Sequence, residues 1–275
     1  MVTARQWFKL NWSSKFILLI EYDGTQYYGF QWQLGLPTIQ NEIEQAIGRL
    51  CGQNSRVMAA SRTDTGVHAK GQVVSFWAKS TLDTMTLVRA LNHYLPGDIA
   101  VKAAYRAGDD FNVRRDAVSR EYRYYILDSD TRSPFSRRFA LFMPKTLNIR
   151  EMVEGCQLIQ GEHDFASFAS SLEDSRSTMR NVYEAGIEKK GAFTVFRIVA
   201  NSFLPHQVRS TVGLLIRLGL GMISTSGFRD IMEAKSVGLA GPLSPACGLC
   251  LTRVNYPGPL GSWPCPASIE GNEDL

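Results

Sequence analysis

Residues 61–69 read SRTDTGVHA, a polar stretch that separates two runs of apolar, β-prone residues. It carries one carboxylate, Asp64, one guanidinium, Arg62, and one glycine, Gly66, that permits a tight bend. On chemistry alone, a segment of this kind is more often a plain turn between strands than a catalytic loop. Both interpretations place a strand on either side of it, and the rest of the chain is organised around that pair.

The first half of the chain alternates the apolar patterns of strands and helices. In order, the patterns predict strand 15–22, helix 38–50, strand 56–61, strand 72–78, helix 81–94 and strand 99–105. Thr38 is a candidate N-cap for the first helix. The order strand–helix–strand–strand–helix–strand is that of the split βαβ motif.

The second half repeats this order loosely. Its patterns predict strand 120–127, helix 152–160, a hairpin of strands 182–189 and 193–200, helices 207–220 and 228–234, and strand 250–255. The sequence therefore predicts an α+β chain of two related halves, with a boundary near residue 108. The predicted parts are a leader at 1–14, an N-terminal half at 15–108 with the Asp64 loop, a C-terminal half at 109–256, and a Pro- and Gly-rich tail at 257–275 that we expect to be disordered.

Composition excludes several classes of protein. Of the 275 residues, 44% are hydrophobic, enough for a substantial core, and a net charge of +4 suits a nucleic-acid binder without requiring one. Five scattered cysteines do not form the framework of a secreted disulfide-rich protein. No apolar run is long enough for a signal peptide or a membrane span. We expect a cytoplasmic protein without a membrane partner.

Seven blocks of the sequence are similar to blocks of the TruA-type tRNA pseudouridine synthase family and follow the family's order. They lie at residues 21–30, 61–69, 95–99, 111–114, 120–124, 163–168 and 206–209. The resemblance covers residues 15–256. It implies the pseudouridine synthase fold, in which two split-βαβ halves with mixed, mainly antiparallel sheets join around a central cleft. It also implies a homodimer that acts on uridines 38, 39 and 40 in the anticodon arm of tRNA.

Three positions depart from the family pattern. Ser61 stands where glycine is usual, Thr65 stands where alanine is usual, and Pro205 precedes the 206–209 block and lacks a backbone donor. If the backbone at position 61 required a positive φ, serine would be strained there.

The reaction that the resemblance implies breaks the bond between ribose C1′ and uracil N1 and rejoins the base through C5. Nothing is oxidised, so neither a cofactor nor a metal is expected. A carboxylate can trap the electron-poor sugar as a nucleophile or stabilise it as a charge, and both routes stay open. The resemblance gives this role to Asp64 and gives active-site roles to Tyr122 and Arg209. We predict that Arg209 pairs with Asp64, because a buried carboxylate needs a cation to stay ionised.

Further residues are expected to contact the substrate. The target base must leave its stack before the enzyme reaches its sugar, and Arg62 matches a family arginine linked to holding the extruded base. Tyr122 matches a tyrosine that can stack on uracil, and strand alternation places it on one face with Arg120. The alternative for Tyr122 is a place in an aromatic core strand. Arg114 and His206, from two other family blocks, complete the expected RNA contacts.

Two larger groups of residues each allow two interpretations. An aromatic cluster either contacts RNA or forms a half-buried loop. The cluster consists of Tyr27, Tyr28, Phe30 and Trp32. A run of cations either contacts phosphates or is a solvated face. The run consists of Arg106, Arg114, Arg115, Arg120, Arg123, Arg132, Arg137, Arg138 and Lys145.

Cys247 and Cys250 have zinc-like spacing, but no second Cys or His pair lies nearby, so no metal site is expected. Two rival functions remain. One is an RNA-binding module of the same fold without catalysis, which the presence of Asp64, Tyr122 and Arg209 argues against. The other is a related synthase that acts on other RNAs.

Overall fold

The computed structural model describes residues 14–80, 82–172 and 177–257. They form two compact units: unit 1 holds the described residues up to Ala117 together with residues 251–257, and unit 2 holds Val118–Cys250. The division between the two units along the chain thus falls after Ala117. The leader and the tail expected from the sequence lie outside the described residues, except for Ser14 and Pro257.

Unit 1 contains two helices and an antiparallel sheet. Its elements are β1 (Ser14–Tyr22), a 3-10 turn (Gly24–Gln26), α1 (Ile39–Cys51), β2 (Met58–Ala59), β3 (His68–Ala78), α2 (Thr84–Tyr94) and β4 (Ile99–Ala107). The strand order is β4-β1-β3, with β2 beside β3, and each of these pairs is antiparallel. This is the predicted split βαβ arrangement. The second strand is much shorter than the predicted 56–61, because only two of its residues pair with β3.

The core of unit 1 follows from its apolar pattern. Phe16, Ile17 and Leu18 are fully buried in β1, as expected of a central strand covered on both faces. Helix α1 buries only one side, including Ile39 and Ile43, which is the amphipathic spacing of a helix on a sheet.

Local capping determines where the helices of unit 1 begin and end. Thr38 caps α1 as predicted, since its side chain accepts a hydrogen bond from the backbone N of Asn41, and Gly52 ends the helix at a positive φ of 67°. Helix α2 begins three residues later than the predicted residue 81, because the Asp83 carboxylate caps it by accepting from the backbone N of Thr86 at 2.9 Å.

Unit 2 contains three helices and five strands that pair side by side. Its elements are β5 (Ser119–Asp128), β6 (Leu141–Met143), α3 (Ile149–Leu158), β7 (Gly161–Asp164), a 3-10 turn (Ala166–Phe168), β8 (Met179–Lys190), β9 (Phe193–Ala200), α4 (Gln207–Gly219) and α5 (Thr225–Glu233). The strand order is β6-β5-β9-β8-β7. Strand β6 is parallel to β5 and the other pairs are antiparallel. The α+β class is therefore confirmed.

The helices of unit 2 approach each other closely. A Cβ added at Gly155 of α3 would lie 2.7 Å from a methyl group of Leu215 and 2.8 Å from one of Leu218, so a larger residue here would displace these leucine side chains of α4. Phe168 and Phe228 are fully buried beside this contact.

The last strand, β10 (Leu249–Asn255), begins in unit 2 and continues into unit 1, where it lies beside β3. The two backbones are close at Gly71, where an added Cβ would lie 2.3 Å from the carbonyl oxygen of Thr252. Within the described parts of the chain, no helix has the length and apolar composition needed to cross a bilayer.

Candidate active site

The Asp64 loop, residues 61–67, connects β2 to β3 in unit 1. Its turn closes by a hydrogen bond from the backbone N of Val67 to the carbonyl oxygen of Asp64, 3.1 Å long, with Gly66 at a positive φ of 76°. Asp64 is half-buried, whereas Arg62 and Thr65 on either side are exposed. The loop therefore holds its carboxylate at the edge of the protein surface between two accessible side chains.

Serine is not strained at position 61. Among the described residues, only His206 and Lys235 combine a side chain with a positive φ. The departure from the family's usual glycine therefore has no cost in backbone conformation here.

The segment from Tyr27 to Phe30 braces one side of the loop. The backbone N of Phe30 donates to the carbonyl oxygen of Thr63 at 3.0 Å, and the backbone N of Gly66 donates to that of Tyr27 at 3.2 Å. Gly29 lies between them with φ at 85°, and an added Cβ would lie 2.8 Å from the Thr63 oxygen and 3.2 Å from the Asp64 carbonyl carbon. Only glycine satisfies both the positive φ and this contact distance.

Two buried polar side chains brace the start of the loop. The hydroxyl of Tyr22 hydrogen-bonds the hydroxyl of Thr63 at 2.8 Å, and both residues are almost fully buried. The side-chain amide of Gln72, which is completely buried, donates to the carbonyl oxygen of Ser61 at 2.6 Å and accepts from the Ser61 backbone N at 3.4 Å. A buried polar group that loses its partner is costly, so each contact restrains the backbone next to Asp64.

A third contact restrains the end of the loop. A Cβ on Gly24 would lie only 2.0 Å from the carbonyl oxygen of Val67, so the turn after β1 approaches the loop as closely as backbone can. The buried His68 lies next to it. Its Nδ1 is 3.1 Å from the backbone N of Gly24 and 3.1 Å from a carboxylate oxygen of Asp23. A neutral imidazole can accept a hydrogen bond from the backbone N of Gly24, and a protonated imidazole can donate one to the carboxylate of Asp23.

The aromatic cluster divides into core and surface residues. Phe30 is buried against Tyr22, and the hydroxyl of Tyr27 donates to Asp98 at 2.6 Å. Burial, and then the hydrogen bond to Asp98, raise the pKa of Tyr27 far above its ordinary value, so it stays a neutral phenol. Tyr28 and Trp32 are exposed, and the Arg56 guanidinium lies 5.5 Å from the Trp32 ring. Of the four aromatic residues, only Tyr28 and Trp32 are accessible for an RNA contact.

Strand β5 carries two of the predicted site residues into unit 2. Arg120 and Tyr122 are both buried. A guanidinium nitrogen of Arg120 donates to the carbonyl oxygen of Asn201 at 2.8 Å. The ring of Tyr122 meets that of Phe203 edge-on, with centroids 5.2 Å apart. Arg120 therefore has a structural contact within unit 2, and Tyr122 is held in one orientation by an aromatic neighbour.

The start of α4 places His206 and Arg209. The Nε of Arg209 donates to the carbonyl oxygen of Ser244 at 2.8 Å, and Ser244 donates back to the carbonyl oxygen of Arg209. His206 precedes the helix at a positive φ of 62°, an uncommon conformation for a residue with a side chain, and its Nδ1 is 2.6 Å from the hydroxyl of Ser170. The pairing of Arg209 with Asp64 stays a prediction.

The run of cations also divides. Arg106, Arg115 and Arg123 have protein partners, namely Ser14, Asp116 and Glu121. Four cations between residues 131 and 145 are exposed, and this stretch of sequence contains no Asp or Glu. They are Arg132, Arg137, Arg138 and Lys145. Arg114, on a turn of unit 1, is exposed as well.

Comparisons with known proteins agree with the blocks found in the sequence. A sequence model of the tRNA pseudouridine synthase family matches residues 18–116 and 156–257, more than half of the chain. The chain belongs to this tRNA pseudouridine synthase family. A tRNA pseudouridine synthase A of Francisella tularensis is 38% identical over 242 residues, which are 88% of this chain and 94% of that protein. One of Legionella pneumophila is 38% identical over 244 residues, 89% of this chain and 93% of that protein.

A solved structure of an H/ACA ribonucleoprotein bound to a substrate RNA aligns with a TM-score of 0.35 and 11% identity, covering 74% of this chain and 44% of that one. The family assignment rests on the sequence matches alone. This family assignment confirms the resemblance found in the sequence. Because the family's reaction is an isomerisation, the chain is an isomerase. Across the described residues, no group of three or more His, Cys, Asp or Glu side chains could hold a metal ion.

The sequence did not reveal what holds the Asp64 loop of this pseudouridine synthase. Tyr22, Gly24, Gly29 and Gln72 all contact the loop, yet each lies at a distance along the chain from the residue that it touches. The one available signal was the glycine within the aromatic run at residues 27–30, since a glycine between large side chains often marks a close backbone approach.

Proposed function

We propose that this chain converts uridine to pseudouridine at positions 38, 39 and 40 in the anticodon arm of tRNA, with Asp64 as the catalytic carboxylate. The main support for the proposal is the set of contacts that restrain the Asp64 loop. Three backbone contacts and two buried side-chain contacts fix the loop, while its carboxylate stays partly accessible. A plain connecting turn does not need such restraint, whereas a catalytic group must be held close to one geometry.

The proposed reaction breaks the bond between C1′ and N1, turns the base, and forms a bond between C1′ and C5. C5 loses a proton and N1 gains one, so the product is an isomer of the substrate. Asp64 adds to the electron-deficient sugar or stabilises its charge, and both routes require an ionised carboxylate. Tyr122 is assigned to stack on the uracil and to take part in the proton transfer, and Arg209 to keep the carboxylate charged.

RNA binding is assigned to the accessible residues around these groups. Arg62, exposed beside Asp64, would hold the extruded base outside its stack. Arg114 is exposed and suits a phosphate contact, and a further RNA contact is assigned to His206. For Arg120 the burial and the bond to Asn201 favour a role in holding β5 in place near Tyr122. We further propose that the protein acts as a homodimer in the cytoplasm.

The test is Asp64→Asn, which keeps the size of the side chain and removes its charge. Tritium release from tRNA labelled at uracil C5 should fall by about three orders of magnitude or more, as loss of a covalent or charge-stabilising group does. The tRNA affinity should stay within a few-fold. Asp110→Asn is the matched control, since it removes the same charge from an exposed turn of the same unit. Activity of the Asp64 variant within tenfold of wild type would remove Asp64 from this role.

The same assay decides between the proposal and an RNA-binding module without catalysis, because such a module releases no tritium. Pseudouridine mapping of total RNA from cells that lack this protein then identifies the substrate. Loss of pseudouridine at positions 38–40 of tRNA is the expected result, and loss in another RNA would favour the related synthase.

A further inference from the structure

The turn between β5 and β6 carries an aromatic side chain in an unusual setting. Phe135 is 83% exposed, more than any other aromatic residue that the structure describes. A single exposed apolar side chain is common on protein surfaces and proves nothing alone. The backbone structure of the turn and the charges near the ring are the reasons to assign a function to Phe135.

The backbone of this turn places Phe135 near its tip. We call residues 131–140 the arginine turn. Its ends are tied together because β6 pairs in parallel with the end of β5, with Ile126 opposite Leu141 and Asp128 opposite Met143. Within it, the carbonyl oxygen of Ser136 accepts from the backbone N of Phe139 and of Ala140, both at 2.9 Å. Phe135 is thus near the tip of a closed, hydrogen-bonded turn.

The charged residues within the arginine turn are all cations. Arg132 precedes Phe135, Arg137 and Arg138 follow it, and all three are exposed. The nearest carboxylates before the turn are Asp130 and Asp128, and Asp128 already forms an ion pair with Lys189. A turn that combines an exposed ring with exposed guanidinium groups before and after it suits a partner with negative charges and flat faces. Nucleic acid has both, since phosphates attract the arginines and every base offers a face for stacking.

We propose that Phe135 stacks on an unpaired base of the RNA substrate while the neighbouring arginines contact its phosphates. The inference rests on the proposed function, because that function supplies an RNA with an unpaired loop. The inference adds a contact that only unpaired bases allow. An aromatic ring can stack on a base in a loop, but it cannot enter an intact duplex without unstacking the base pairs. The arginine turn therefore selects for looped over fully paired RNA.

The test compares two RNAs with the full-length protein. One is a hairpin with the sequence of a tRNA anticodon arm, and the other is an uninterrupted RNA duplex with the same number of phosphates. Phe135→Ala should weaken hairpin binding by about tenfold, the usual effect of removing a stacked ring, and should leave duplex binding within twofold. Phe135→Trp should bind the hairpin as wild type does, and Phe135→Leu should resemble the alanine variant, because leucine is apolar but has no π-face.

Tyr183→Ala is the matched control, since it removes another exposed aromatic ring of unit 2, on β8. It should leave both affinities unchanged. The inference is overturned if the Phe135→Ala variant binds the hairpin as wild type does, if both RNAs lose affinity equally, if leucine replaces phenylalanine without loss, or if Tyr183→Ala has the same effect. None of these outcomes depends on catalysis. Absence of tritium release by the wild-type protein would instead refute the proposed function, so the two failures are distinguishable.

Discussion

The Asp64 loop of unit 1 and the arginine turn of unit 2 are both polar segments between two strands, and they differ in what their residues contact. The Asp64 loop contacts residues outside itself through the backbone of Tyr27 and Phe30 and the side chains of Tyr22 and Gln72. In the arginine turn, by contrast, backbone hydrogen bonds run between residues of the turn itself, from Phe139 and Ala140 to Ser136.

The difference matches the two tasks that we propose for them. A carboxylate that acts on one atom of the sugar loses its effect when it is displaced by about an ångström, so its loop must be fixed from outside. Arginines that attract phosphates act through charge at longer range and tolerate movement of their side chains. Substitutions in the two segments can test whether restraint of the backbone matters in unit 1 and charge in unit 2.

The largest effect is expected from Gly29→Ala. The new Cβ would press on the carbonyl groups of Thr63 and Asp64 and force the loop to move, so kcat should fall by about 100-fold. Gly35→Ala is the matched control. Gly35 also has a positive φ, 74° against 85° for Gly29, but a Cβ there meets nothing within 4 Å. Gly35→Ala should lose about 1–2 kcal/mol of stability from the strained backbone, measured by urea unfolding, and Gly29→Ala should lose at least as much.

Equal loss of activity in the two glycine variants would show that the strained φ, and not the contact with the Asp64 loop, matters. In that case the braced loop would be a structural feature without a catalytic purpose.

The next effect is expected from Tyr22→Phe, which removes the hydroxyl that bonds Thr63. The net hydrogen bond is worth about 1 kcal/mol, so kcat should fall about fivefold while KM for tRNA changes little. A double-mutant cycle with Thr63→Val measures the coupling. If the effect arises from this bond, the double variant should be about as active as the single variants. Full additivity of the two losses would mean that each residue acts on its own.

A smaller effect is expected in unit 2 from removing Arg137 and Arg138. Replacing both with alanine should weaken tRNA binding a few-fold near physiological salt. It should also reduce the slope of log affinity against log salt by about 0.7–0.9 for each lost phosphate contact. Arg229→Ala, on the exposed side of α5, shows the effect of removing one exposed cation elsewhere in unit 2 and should leave the slope unchanged. An unchanged slope would place Arg137 and Arg138 on a solvated face.

How much the sequence predicted depended on how local the cause is. Helix α1 begins where the sequence indicated, because the capping residue Thr38 and the apolar spacing both lie within the segment. Helix α4 also begins at the predicted residue, although no side chain caps it, because its apolar spacing is local. Strands β6 and β7 were missed and β2 was overestimated, since strands of two to four residues are defined by their partners and not by their own pattern.

The candidate site shows the same limit. The motif around Asp64 is local and could be found. The Tyr22–Thr63 bond joins residues 41 positions apart, and the contact of Gly24 with Val67 is similarly remote. No periodicity within one sequence encodes such pairs. The Phe135 tip was missed for another reason, because exposure of an aromatic residue depends on how the strands around its turn pair.

The smallest effect is expected from Ser61→Gly, which restores the residue that is usual in the family. The two hydrogen bonds to Gln72 use backbone atoms of residue 61, and its φ is not positive, so glycine keeps these contacts and relieves no strain. Stability should fall by about 0.5–1 kcal/mol, because glycine loses more conformational freedom on folding. The value of kcat should stay within about twofold. An increase of tenfold or more would show that the serine itself restrains catalysis, and the backbone contacts would then not suffice to define the Asp64 loop.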